Sequence, residues 1–352
     1  MPLRKALQNN VIEEHLQSVL RPLNLMFSIF FCRKYSIHNN IVSCNSRTYN
    51  IMRVLFTIIF RCFCVYNFNF NISYLNSNSW GIYNHFYIFI TCFELCFHVL
   101  ADFISGYFDI KHRYYVSLVL RLQYVIKVLD VNANDIRHLV FFNWIVVIIL
   151  NVYFTAFNVS YCIIFNKCSA YDMISSYVTI TYDIVMLYAL FVFKLVEQFL
   201  RVWMERVWKS TKFRSYRHDA YWNALLGAYF NVHEIYIILG KTFQQMNLTV
   251  PLVSQIWSMK NIILIIYLTV KCERIYAAFR DIESTCVLLM NSRECSVAEK
   301  RLYKKVFRLQ RRSCTKLRAC CLFAVSAELS LKLFNFITSN TIVLLQFTYL
   351  NS

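Results

Sequence analysis

We single out six ionisable side chains that lie inside long apolar stretches of the chain, where a charge is costly and often functional. They are Arg61, Glu94, Asp102, Asp183, Glu328 and Lys332. Glu328 and Lys332 are four residues apart in the favourable order for an ion pair on one helix. That pair is either a self-neutralised contact near the inner end of the last helix or part of an ion path. Arg61 could pair with Glu94 or Asp102 across two neighbouring helices.

The last apolar stretch also carries uncharged polar side chains close to its end. Ser339, Asn340, Thr341 and Gln346 lie within eight residues, and Phe347 follows Gln346 directly. A Gln surrounded by lipid needs water or a hydrogen-bond partner. A pore-lining helix would supply water to these groups, whereas a hydrogen bond between helices is the simpler alternative.

No pattern typical of an enzyme accompanies these residues. The chain lacks the GxSxG, Walker, HExxH and GxGxxG motifs. Its 14 Cys form no CxxC pair, although Cys162 and Cys168 could form a disulfide in an oxidising compartment. We therefore expect no enzymatic activity, no cofactor and no metal.

The elements that must position these residues are long apolar helices. Apolar residues make up 58% of the 352 residues, charged residues 16%, and there are only 4 Gly and 3 Pro, which disfavours turn-rich folds. Leu225–Met246 carries His233, Glu234 and Lys241, so it is either a membrane span or an amphipathic helix at the surface. The other stretches that approach the length of a bilayer are Met52–Tyr66, Ile82–Ile104, Leu139–Phe157, Ile174–Phe199, Leu248–Val270 and Cys320–Tyr349.

The net charge of +18 is distributed unevenly along the chain. The segments 1–53, 105–138, 194–224 and 271–318 hold 32 of the 37 Lys and Arg residues and carry a net charge of +19. The connections between the other ends of the spans are nearly uncharged. The positive-inside rule therefore predicts that the four basic segments are cytoplasmic, so the charge indicates membrane topology and we expect no nucleic-acid partner.

Three Asn-x-Ser/Thr sequences agree with this topology. Asn71, Asn158 and Asn247 each lie in or beside a charge-poor connection, and glycans are added only on the lumenal or extracellular side. Placing Asn247 outside requires Leu225–Met246 to cross. We therefore predict an all-α, polytopic plasma-membrane protein with seven transmembrane helices, a cytoplasmic N-terminus and an extracellular C-terminus. Residues 1–352 form one domain, with a cytoplasmic region 1–50, helices one to six in 51–317 and the last helix in 318–352.

Ser292–Arg318 is predicted to form a basic amphipathic helix before the last span. Val297, Leu302, Val306 and Leu309 recur at helical spacing, and Lys and Arg fill the other faces. This helix could lie on anionic lipid, bind calmodulin, or pack against its counterpart in other subunits. The sequence leaves the three interpretations open.

The C-terminus resembles the insect gustatory receptor family, which ends in Thr-Tyr, five hydrophobic residues and Gln-Phe. Gln346 and Phe347 match the final pair, and Ser339 and Asn340 occupy the Thr-Tyr positions. The run from Ala319 to Leu329 and the N-terminal Leu20-Arg21-Pro22-Leu23 are also similar to the family. The resemblance in organisation covers most of the chain, and the specific motif covers about the last thirty residues.

The resemblance implies a ligand-gated, non-selective cation channel that detects small tastant molecules. Four subunits, identical or different, would surround a pore lined by their last helices, with membrane lipid around them. Thr341, Leu345, Gln346 and Phe347 would lie in the pore, Phe347 as a hydrophobic gate and Gln346 as a group that solvates cations. The alternatives are an odorant receptor subunit that needs a co-receptor, or a metabotropic seven-helix receptor, which the N-inside topology disfavours.

Overall fold

A computed structural model describes most of the chain. It covers residues 10–30, 32–76, 114–131, 133–165, 170–212, 219–246, 255–291, 296–313, 316–319, 323–326 and 328, and then single positions or pairs at 331–332, 335, 338–339, 342 and 346. The expected span Ile82–Ile104 lies outside these residues. So do the predicted site residues Glu94, Asp102, Asn247, Thr341, Leu345 and Phe347.

The described residues are mostly helical, which confirms the all-α prediction. Helices with continuous bounds are α1 (Glu14–Ile29), α2 (Arg47–Asn76), α3 (Tyr114–Leu129), α4 (Ala133–Phe165), α5 (Ala170–Lys212), α6 (Asp219–Met246), α7 (Gln255–Met290) and α8 (Val297–Ser313). There are also two short antiparallel hairpins among the described residues. In the first, β1 (Ser36–His38) pairs with β2 (Ile41–Ser43), and in the second, β3 (Arg318–Ala319) pairs with β4 (Phe323–Ala324). In the first hairpin Asn39 and Asn40 both have positive φ, which a two-residue turn between twisted strands favours.

Several helices are longer than a bilayer requires. At 1.5 Å per residue, α5 is about 65 Å long and α7 about 54 Å, whereas a hydrocarbon core is about 30 Å thick. Helix α5 contains the predicted span Ile174–Phe199, α7 contains residues 255–270 of the predicted span Leu248–Val270, and both helices then continue into a basic segment. Each helix therefore joins an apolar stretch to a basic one without a break.

Among the described residues, one helical segment is long and apolar enough to cross a membrane, the 24 residues Arg137–Ser160 of α4. Its large apolar side chains are exposed on several sides, including Phe141 at 69%, Ile149 at 61% and Val152 at 61%. Leaving such side chains in water costs about 1.5–3 kcal/mol each relative to burial. This surface is suited to hydrocarbon.

Contact clustering divides the chain into two units. The first comprises residues 1–189 and 230–238, and the second comprises residues 190–229 and 239–352. In the first unit, the apolar stripe of α1 packs along α4. Pro22 lies within α1 and has no N–H to donate to the helix ladder, and the Val19 carbonyl of the same helix accepts a 3.0 Å hydrogen bond from Asn143 Nδ2. Sequence reasoning did not predict this contact.

In the second unit, an aromatic core joins α5, α6 and α7. The Trp203 ring lies 5.2 Å from the Tyr229 ring, which meets Phe279 edge-on at 6.3 Å. Trp203 Nε1 donates to the Leu225 carbonyl at 2.9 Å, so its polar atom is satisfied within the core. These contacts form the surface on which α8 packs.

Candidate functional site

Helix α8 begins at a capping box and is seated on α7. The Ser296 and Glu299 side chains each accept a hydrogen bond from the other residue's backbone N–H, which satisfies two donors at the helix start. Gln310 is the polar anchor of the buried face: its amide donates to the Phe279 carbonyl, and its Oε1 accepts from the Tyr229 hydroxyl.

The buried face of α8 corrects part of the predicted stripe. Leu302 and Val306 are buried as expected, together with Tyr303 and Gln310. Val297 is 77% exposed, because five residues separate it from Leu302 and five residues turn a helix about 140° away from its starting face. Leu309 is half-buried at the edge of the stripe. The exposed faces carry Lys300, Arg301, Lys304, Lys305, Arg308 and Arg311.

The β3–β4 hairpin joins this bundle to the last helix. The sequence predicts a helix from about residue 318, but residues 318–319 and 323–324 pair as strands, and the next described helical residue is Glu328. The Val325 N–H donates to the Leu317 carbonyl at 2.7 Å. The paired strands therefore lie between α8 and the first described residue of the last helix, Glu328.

A single buried hydroxyl connects both sides of the hairpin to α7. Tyr276 OH accepts a hydrogen bond from the Leu317 N–H at 2.9 Å and donates to the Val325 carbonyl at 3.2 Å. All three residues are buried. One turn earlier, burial raises the pKa of the Cys272 thiol to about 12, so that side chain is a neutral packing group at physiological pH.

Gly240 of α6 makes room for the same hairpin. A Cβ at position 240 would lie 2.6 Å from Leu317 Cδ2, which is closer than carbon atoms normally approach. Leu317 is the residue whose N–H and carbonyl hold the hairpin together. The absence of a side chain at Gly240 therefore allows the hairpin to pack closely against α6.

The described residues of the last helix form an exposed, mostly polar stripe. At 3.6 residues per turn, their positions project onto one side of a helix. Two of the eight are apolar, Leu331 and Ile342, and the other six are polar or charged: Glu328, Lys332, Asn335, Thr338, Ser339 and Gln346. Glu328 and Gln346 are 18 residues apart, which corresponds to about 27 Å along an ideal α-helix, close to the thickness of the hydrocarbon core.

The ionisable pair predicted for this helix is in contact. Lys332 Nζ lies 2.7 Å from Glu328 Oε1, and both side chains are 70% exposed. The pair occupies the beginning of the exposed stripe, whereas Gln346 is its last described residue. A charge pair at one end and a neutral amide at the other give the stripe two chemically different ends.

The other predicted residues do not gather into one site. Asp183 is buried in α5, and Asn158 is buried in α4. Arg61 and Asn71 both lie in α2. Cys162, near the end of α4, is disulfide-bonded, and its expected partner Cys168 falls outside the described residues. The glycosylation sites remain predictions.

Sequence reasoning missed the residues that hold the hairpin and α8. Tyr276, Gln310 and Gly240 are scattered along the chain, and only Gln310 carries a recognisable signal, a polar residue on the apolar face of an amphipathic helix. Within the described part of the chain, no group of three or more His, Cys, Asp or Glu residues could hold a metal ion.

Comparison with known families agrees with the C-terminal resemblance. Residues 220–351, fewer than half of the chain, match the family described as 7tm Chemosensory receptor. The matched segment contains α6 except its first residue, together with α7, α8, the β3–β4 hairpin and the polar stripe. No curated protein and no solved structure shows significant similarity to the chain.

The match confirms the predicted resemblance to seven-helix chemosensory receptors over this segment. It supports a chemoreceptor role and a location in a membrane. It also supports the expectation of a receptor rather than an enzyme, because the family is not an enzyme family.

Proposed function

We propose that this chain is a gustatory-type receptor, a subunit of a tetrameric, ligand-gated, non-selective cation channel in the plasma membrane that detects a small tastant. It has seven spans, with the N-terminus inside and the C-terminus outside. The exposed polar stripe of the last helix, within the segment that matches the chemosensory receptor family, is the observation that carries the proposal.

The chemistry of the stripe indicates water, rather than hydrocarbon, as its surroundings. A helix face that meets hydrocarbon should be apolar, as on α4, because polar groups in lipid must find water or a partner. The last helix instead exposes Asn335, Thr338, Ser339 and Gln346 along a length comparable to the bilayer core. Four copies of this helix facing a central axis would give these side chains a water-filled path.

Gating then depends on how the last helix is held. Gln346 and Phe347 form the narrow outer part, where a ring of Phe347 side chains closes the pore by excluding water. The α7–α8 bundle and the hairpin fix the inner part. A ligand that prefers the open arrangement of the outer helices shifts the equilibrium by its difference in affinity between the two states.

The Gln-Phe ending favours the gustatory branch over an odorant receptor subunit. An odorant subunit would need a co-receptor, so the two functions differ in cells that express this chain alone. Calcium imaging of such cells with a panel of sugars, bitter compounds and other small molecules tests both. We expect a ligand-evoked signal without a partner, and a signal that requires a co-receptor would support the odorant alternative.

Cysteine accessibility tests the stripe itself. In the full chain, Ser339→Cys and Gln346→Cys should react with a water-soluble methanethiosulfonate reagent and lose ligand-evoked current. Ile148→Cys, on the exposed apolar surface of α4, is the matched control and should not respond. Wild-type protein measures the background from the native cysteines. Equal insensitivity of all three variants would contradict a water-lined stripe.

A further inference from the structure

One carboxylate in the second unit is surrounded by cationic side chains from two helices. Glu197 of α5 lies 3.0 Å from Lys271 Nζ and 3.8 Å from Arg274 Nη1, both of α7. Arg201, one turn further along α5, places its Nη2 3.6 Å from the same carboxylate. We refer to Lys194, Glu197, Arg201, Lys271 and Arg274 as the cation cluster.

Positive charge exceeds negative charge in this cluster. Lys194 lies one turn before Glu197 on α5 and is close enough to Lys271 for the two ammonium groups to repel each other. Four cations therefore share Glu197, and they still outnumber the carboxylates when the neighbouring Glu273 is included. A surplus of this kind favours the binding of an anion with more than one negative charge.

Burial divides the cluster into a fixed part and an accessible part. The Glu197 and Lys271 side chains are only 12% and 8% exposed, whereas those of Arg201 and Arg274 are 68% and 60% exposed. The buried ion pair holds the two helices in register. The exposed guanidinium groups, each at more than 3.5 Å from the carboxylate, keep most of their donors available for a ligand.

The position of the cluster along both helices points to the membrane surface. The apolar stretch of α5 ends at Phe199 and that of α7 ends at Val270, so both predicted spans end within the cluster. Lys271 Nζ also lies 5.7 Å from the centre of the Tyr267 ring, and Tyr is enriched where a span meets the headgroups. This step rests on the topology of the proposed function.

We propose that the cation cluster binds the phosphorylated headgroup of an anionic lipid at the inner surface of the membrane. The guanidinium groups of Arg201 and Arg274 can each donate two parallel hydrogen bonds to phosphate oxygens, and Lys194 adds a third positive charge. The exposed basic face of α8 also attracts anionic lipid through its charge, but its cations are not organised around a buried ion pair.

The test uses the purified full chain in nanodiscs with and without phosphatidylinositol bisphosphate, and measures lipid retention by native mass spectrometry. Arg201→Gln with Arg274→Gln should weaken retention at least about tenfold, as expected for the loss of two charge-assisted contacts. Lys304→Gln with Lys305→Gln on α8 removes the same charge from exposed positions and should change retention less than about twofold. Arg201→Lys with Arg274→Lys keeps the charge and should give an intermediate loss.

Equal loss in the cluster variant and the α8 variant would overturn the proposal, because it would show attraction by net charge alone. Retention of soluble inositol trisphosphate at the same level as the lipid would overturn the assignment to a lipid. Both arginines are exposed, so the glutamine variants should keep the elution volume and melting temperature of the wild type. The measurement requires no current: binding without channel activity would contradict the proposed function alone, and channel activity without binding would contradict this inference alone.

Discussion

Helices α4 and α8 are both exposed on much of their surface, but they expose opposite chemistry. Helix α4 presents Phe141, Ile149 and Val152 outward, and it uses buried Asn143 to contact the backbone of α1. Helix α8 presents Lys and Arg outward and buries Leu302, Tyr303 and Val306. Both helices bury apolar side chains, such as Leu139 and Phe154 of α4, so the difference lies in what each exposes: apolar side chains on α4, and Lys and Arg on α8.

The difference shows that each helix is built for a different solvent. In water, the exposed surface of α4 would cost several kcal/mol, whereas in hydrocarbon the charges of α8 would cost about 2.5–3.5 kcal/mol each. The matched chemosensory segment joins a bundle suited to water to a last helix whose exposed face is mostly polar. Within the proposed channel, that face meets the water of the pore.

The largest effect should come from placing a charge on α4. Ile149→Arg puts a guanidinium group at a 61% exposed position of the candidate span and should cost about 3 kcal/mol in membrane insertion. The matched control is Leu288→Arg in the last turn of α7, which is 69% exposed and belongs to a basic segment. Surface biotinylation should show a strong loss for the first variant and wild-type levels for the second. Equal surface levels of the two variants would contradict the proposal that α4 lies in hydrocarbon.

A smaller effect should follow from cutting the polar anchor of α8. Gln310→Ala leaves the Tyr229 hydroxyl and the Phe279 carbonyl without their partner in a buried place, which should destabilise the fold by about 1–3 kcal/mol. Lys304→Ala, on the exposed side of α8, should stay within about 0.5 kcal/mol. The melting temperature in detergent measures both. A normal value for Gln310→Ala would show that α8 is held by its apolar face alone.

The smallest effect should come from the hydroxyl that holds the hairpin. Tyr276→Phe keeps the ring and removes the hydrogen bonds to Leu317 and Val325, for a cost of about 1–2 kcal/mol. Because the hairpin leads into the last helix, the ligand concentration for half-maximal current should also shift. Tyr66→Phe, at a 67% exposed position of α2, is the control. An unchanged response in both variants would show that the hairpin does not influence gating.

The sequence predicts the helical class and the apolar run that forms the candidate span of α4, because apolar runs and basic segments are local signals. It predicts the basic helix before the last span, including buried Leu302 and Val306, and the chemosensory resemblance from a short C-terminal motif. The prediction that Val297 belongs to the apolar stripe was wrong, because its position on the helix turns its side chain to the exposed side. The predicted start of the last helix was also wrong. The apolar residues before Glu328 continue the apolar run of the predicted helix, but residues 318–319 and 323–324 pair as strands. The hairpin is held by the Tyr276 hydroxyl, some forty to fifty residues earlier in the chain.

Contacts between distant segments carry no local signal. Nothing near Glu197 in sequence indicates Lys271, and nothing near Val19 indicates Asn143, since each pair is separated by more than seventy residues. A Gly in a helix, such as Gly240, indicates close packing in general but does not name Leu317 as the neighbour. These positions could be found only from the fold.

The central claim is that the last helix lines a gated pore, and whole-cell recording of Phe347→Ala tests it most directly. Removing the ring from the narrow outer part should let water fill the closed pore. We expect a resting, non-selective cation current in the absence of ligand, several times that of wild-type cells with equal surface expression. A resting conductance equal to that of the wild type would contradict it.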